Sequence, residues 1–102
     1  MDDYVTLPWI SPNALRLAAE CVGRAALLLG PAFPPGAHPV EGPKGPNGSL
    51  IVNWNAPSGR HVRAIFGDNA YLYREWSEFP PGHEVEDDVT KLAEWLEWLR
   101  AE

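Results

Sequence analysis

A chain of 102 residues has room for one domain, spanning 1–102, around one hydrophobic core. Hydrophobic residues make up 45% of it, too many for a wholly disordered chain, yet no apolar run approaches the ~20 residues that span a bilayer. The net charge of −6 disfavours binding to phosphate backbones and favours basic partners.

After an N-terminal arm (1–10), Ile10 to Gly30 is predicted to be helical. Ser11 is a good N-cap, Pro12 occupies the first position, where a missing N–H costs nothing, and Ile10 can staple onto Leu15. Leu15, Ala18, Ala19, Val22, Ala25, Ala26 and Leu29 recur at helical spacing, Arg16, Glu20 and Arg24 are mutual i,i+4 partners on the other side, and Gly30-Pro31 stops the helix. Leu17, Cys21 and Leu28 widen the apolar arc beyond one stripe. Either a second copy of the chain covers this extra arc, or Phe33 and the following segment fold back over it.

Pro31 to Gly48 holds six prolines and four glycines, so it is expected to be a semi-extended crossing, pinned by Phe33 and Val40. From Ser49 the period changes to two. Leu50, Val52 and Trp54 alternate with Ser49, Ile51 and Asn53 in a first, half-buried strand. A turn at Ala56–Gly59 leads to a second strand over Arg60–Phe66, and Gly67-Asp68-Asn69 turns into a third over Ala70–Trp76. Ser77–Glu86, with Pro80-Pro81-Gly82, reads as a loop. The last helix is expected to begin near Asp87 or Asp88 and to turn Val89, Leu92, Ala93, Leu96 and Leu99 inward. The implied fold is α+β: an N-terminal helix, a three-stranded antiparallel meander and a C-terminal helix. Both helices are expected on one face of the sheet, with Trp54 and Leu96 between the layers.

Catalytic motifs are missing, so no enzyme and no cofactor are expected. There is no Gly-x-Ser-x-Gly, and Cys21 on an apolar helix flank reads as a small hydrophobe. The single cysteine also excludes an internal disulfide framework. The acidic opening Met1-Asp2-Asp3-Tyr4 is unlike a secretory signal, and a cytoplasmic location is expected. His38, His61 and His83 are too widely spaced for a local metal site, and Glu84-Val85-Glu86-Asp87-Asp88 lacks the calcium-loop pattern. Prolines spoil Gly42–Gly48 as a phosphate cradle, because they remove N–H donors.

Two surfaces remain as binding candidates. From Glu75 onward nine acids face two bases, giving −7 and leaving the rest of the chain near +1. Within this acidic third, a helical wheel puts Trp98 on the polar side opposite Leu96, with Trp95 on the flank. Trp95 and Trp98 with Glu94, Glu97, Glu102, Glu86 and Asp87 therefore form the expected partner surface. The competing expectation packs Trp98 on Phe79 or Tyr4 as core. The other surface groups Arg63, Arg74, His61, Tyr71 and Tyr73 on the sheet, where aromatics and bases could stack and hold a single-stranded nucleic acid. Against it stand the negative charge and the lack of a Gly-aromatic ribonucleoprotein motif.

Trp9, Ser11-Pro12-Asn13-Ala14-Leu15, Pro39, Pro46-Asn47-Gly48 and Leu50-x-Val52-x-Trp54 resemble the pattern of a loose group of small proteins of bacteria and their mobile elements. The likeness covers about two thirds of the chain plus a Leu/Trp-rich final helix, and it implies no activity. The preferred reading is a cytoplasmic binding protein that masks a basic surface of a protein partner, either a basic protein or a nucleic-acid-binding enzyme. By analogy of size and charge, it would be an inhibitor or antidote of the phage anti-defence type, such as an anti-CRISPR protein. A sheet-based single-stranded nucleic-acid binder is the alternative, and an enzyme comes third. No membrane partner is expected.

Overall fold

The computed structural model describes residues 11–34, 38–41 and 49–101. The Ile10 staple, Tyr4, Glu102 and the Pro-Asn-Gly turn lie outside them. Helix α1 (Pro12–Leu29) starts as the sequence dictates, with the Ser11 hydroxyl accepting from the N–H groups of Asn13 (3.1 Å) and Ala14 (3.3 Å). It ends at Gly30, whose φ of 54° suits a residue without a Cβ. The buried residues of α1 are all alanines (Ala14, Ala18, Ala25), which allow close approach to the sheet. Asn13 Nδ2 donates to Gly67 O (3.1 Å) and fixes the start of α1 to a turn of the sheet.

Among the described residues the sheet has five strands, two more than expected. They are β1 (His38–Glu41), β2 (Leu50–Asn55), β3 (His61–Phe66), β4 (Ala70–Trp76) and β5 (Gly82–Glu86), all antiparallel and adjacent in chain order. β2 and β3 alternate in burial as their sequences require, and β4 buries Leu72 on the same face. The two extra strands are edges. β1 lies within the proline-rich crossing, where Pro39 is tolerated because an edge strand need not donate on both sides. β5 occupies what reads as the end of a loop. His83, Glu84 and Glu86 leave it without an apolar alternation, and its carboxylates suit an edge that must not recruit further strands. The β2–β3 turn needs Gly59, at φ 96°, and a Cβ there would collide with Ser77 Oγ.

Asp88 caps a 3-10 turn, Val89–Lys91, through Thr90 N (3.1 Å), and helix α2 (Leu92–Arg100) follows. Leu92, Leu96 and Leu99 are buried, and so is Trp95 at 2% exposure, although a helical wheel places it on the flank. The core joins these side chains to the alanines of α1 and to Leu50, Val52, Trp54, Val62, Phe66 and Leu72 of the sheet. Phe33 closes it from the side, edge-on to Trp54 at 6.3 Å. Cys21 Sγ donates to Val89 O (3.5 Å), joining α1 to the 3-10 turn, and burial raises its thiol pKa to about 11. No described helix is long and apolar enough to cross a membrane.

Candidate functional site

Successive side chains of β4 point to opposite faces of the sheet. Leu72, opposite Ala64, is on the core side, and two-residue spacing therefore puts Arg74 and Trp76 there too. The Arg74 guanidinium lies over the rings of Trp95 (4.4 Å) and Trp98 (4.8 Å), and its Nε donates to Glu84 on β5 (2.9 Å). Arg60, just before β3, approaches the same ring of Trp98 at 4.8 Å. It also donates to the carbonyls of Trp98 and Ala101, at the negative end of the α2 dipole, and to Glu78 (2.9 Å). Those bonds hold the Glu78 carboxyl below its ordinary pKa.

Trp76 meets Trp98 edge to face at 6.0 Å. Its Nε1 donates to Pro80 O (3.1 Å) and ties the 77–81 loop over the end of the sheet. Phe79, on that loop, is 96% exposed. Arg74, Trp76, Glu78, Phe79, Pro80 and Trp98 line an open groove of about 480 Å³. Its floor is aromatic, Arg74 in its wall is already committed to Glu84 and to ring faces, and one large apolar side chain, Phe79, stands in solvent at its edge.

Of the expected partner surface, Trp98 is half-buried and lines this groove, packed on Trp76 and not against Phe79 as core. Trp95 belongs to the core. Glu94 and Glu97 are exposed on α2. Glu86 and Asp87 sit at the opposite end of the helix, where Glu86 accepts from Asp88 N–H (3.0 Å) and from Lys91 (3.1 Å), which lower its pKa in that order. The acids therefore do not converge on one spot. Phe79 and Trp76 were not among the expected site residues. Trp76 was readable from strand parity, whereas Phe79, expected only as a packing partner of Trp98, carries no sequence signal that it stands in solvent.

The alternative basic-aromatic face is divided. Tyr71, Tyr73, Arg63 and His61 lie on the side of the sheet away from the core, but Arg74 points the other way. On that outer side Arg63 lies 5.6 Å from the Tyr73 ring and donates to Asn53 (2.9 Å), while Tyr73 stacks on His83 at 6.0 Å. A groove of about 350 Å³ runs between Ile51, Arg63, Ile65, Tyr71 and Tyr73. His61 Nδ1 is 2.6 Å from Asn55 Oδ1, and burial followed by the charge of Arg63 lowers its pKa. Among the described residues, no three His, Cys, Asp or Glu side chains converge to hold a metal ion. Compared with known protein families, curated proteins and solved structures, the chain matches none.

Proposed function

We propose that this chain is a cytoplasmic, non-enzymatic binding protein whose Trp76–Trp98 groove and Phe79 engage a basic surface of a protein partner. The observation that carries the reading is Phe79, 96% exposed beside an aromatic groove. An exposed large aromatic next to a partly open aromatic floor is the anatomy of an interface hot spot. Glu78 lines the groove, and Glu94 and Glu97 are exposed on the helix that supplies Trp98. This acidity would steer a basic partner and set the salt dependence of encounter. Small size and acidity, shared with phage inhibitors of bacterial defence nucleases such as anti-CRISPR proteins and with toxin antidotes, support an inhibitor role by analogy. Capture from host lysate on the immobilised chain, followed by mass spectrometry, tests this. A basic protein released by salt and lost with Phe79→Ala is expected, and capture indifferent to both would reject the groove.

A second reading is supported by the Arg63–Tyr73–His83 stack, which offers ring faces to unpaired bases. It is weakened by Arg74 lying on the other side of the sheet and by Glu75, which accepts from the Tyr73 hydroxyl at 3.3 Å. Retention of the chain on single-stranded oligonucleotides, lost with Tyr73→Ala, is the result that would favour it.

A further inference from the structure

Helix α1 carries a strip that its core contacts leave open. Leu27 and Leu28 are 87% and 67% exposed. At ~100° per residue, Leu17, Glu20, Arg24 and Leu28 fall within about 80° of one another, and at 1.5 Å per residue they form a seam about 17 Å long. Their three- and four-residue spacings are those of a helix–helix contact. Beside the seam a cleft of about 100 Å³ opens toward the start of α2, walled by Leu17, Cys21, Leu28, Val89 and Ala93. Phe33, the side chain that the sequence offered as a cover for this arc, packs on Trp54 instead.

We propose that a second copy of the chain docks here, α1 against α1, antiparallel about a two-fold axis level with Val22. The order Leu17, Glu20, Arg24, Leu28 is self-complementary. Reversing it sets each leucine against a leucine and each charge against its opposite, as an isologous contact requires. A parallel arrangement would instead oppose Glu20 to Glu20 and Arg24 to Arg24. The existing Arg16–Glu20 pair, at 3.4 Å and about 60% exposed on both sides, is weak enough to yield. Leucine knobs from one copy would enter the cleft of the other. The contact is small, so association is weak, with a Kd between about 1 μM and 1 mM. The strip shares no residue with the Trp76–Trp98 groove, so a dimer would present two copies of that groove to a repetitive partner.

Sedimentation of the full chain from about 10 μM to about 1 mM, a range that brackets the expected Kd, tests this. Self-association should rise with concentration and should be lost in Glu20→Arg and in Arg24→Glu, both at exposed positions where folding, followed by thermal melting, is unaffected. An equimolar mixture of the two variants should associate again, because the first then sets a pair of arginines across the axis from a pair of glutamates on the second. A wild-type chain that stays monomeric throughout would overturn the proposal. So would association that persists in the single variants, or a mixture that stays monomeric.

Discussion

Trp98 meets Trp76 edge to face and lies under two guanidinium groups, which makes it part of the fold and of the groove together. An aromatic pair and two cation–π contacts predict that Trp98→Ala costs about 1–3 kcal/mol of stability as well as partner affinity. A thermal melt unchanged by that substitution would show that these contacts carry no weight. The sequence marked Trp98 as unusual because a helical wheel sets it among charges. A wheel cannot show that Arg60 and Arg74, distant in sequence, supply the other side of the ring. Arg74 itself was legible in principle, since two-residue spacing from Leu72 puts it on the core side and away from Tyr71 and Tyr73. Its charge argued for solvent, and a ring-stacked, Glu84-paired guanidinium answers that objection.

At the scale of elements, α1, the three central strands and α2 were readable because each buries one face, and because Ser11 caps α1 while Asp88 caps the turn that leads into α2. The edge strands β1 and β5 were not readable, because edge strands are specified by backbone pairing and by charge against further association. Leu96, fully buried between α2 and the sheet, tests the helix face: Leu96→Ala is expected to cost about 2–5 kcal/mol, and an unchanged melting midpoint would refute the assigned packing. Arg60 joins three elements by binding the last carbonyls of α2, the Trp98 ring and Glu78 of the 77–81 loop. Arg60→Ala should therefore destabilise by about 1–3 kcal/mol, as charge-assisted bonds to a partly buried partner do. Arg60→Lys should rescue little of it, since an ammonium cannot make the same fork of bonds. Full rescue by lysine, read from chemical denaturation, would show that charge alone matters.

For the whole molecule, the excess of acids makes pH a useful probe. Glu78 is held ionised by Arg60, Glu86 by the Asp88 N–H and Lys91, and Asp88 by the Thr90 hydroxyl and N–H. Their folded pKa values lie below the unfolded ones, so their stabilisation is complete above the ordinary carboxylate range and disappears as pH falls through the lowered values. His61 is also lowered, from 6.5, by burial and then by Arg63. The folded state therefore resists its protonation, and stability starts to fall as pH drops below about 6.5, before the carboxylates titrate. Melting curves should show two stages of loss on acidification, with the earlier one absent in His61→Gln. An earlier stage unchanged in that variant would assign it to another group.

The same acidity was the clearest functional signal in the sequence, but it gave a sign without a location, because folding pairs several of the acids with Arg60, Arg74 and Lys91. The central claim, that the Trp76–Trp98 groove and Phe79 form the binding surface, is tested most directly by Phe79→Ala. This side chain is almost wholly exposed. Its removal is expected to change stability by less than about 0.5 kcal/mol while weakening capture of the salt-sensitive partner by about 2 kcal/mol or more. Undiminished capture by a stably folded Phe79→Ala chain would contradict the account and place the interface elsewhere.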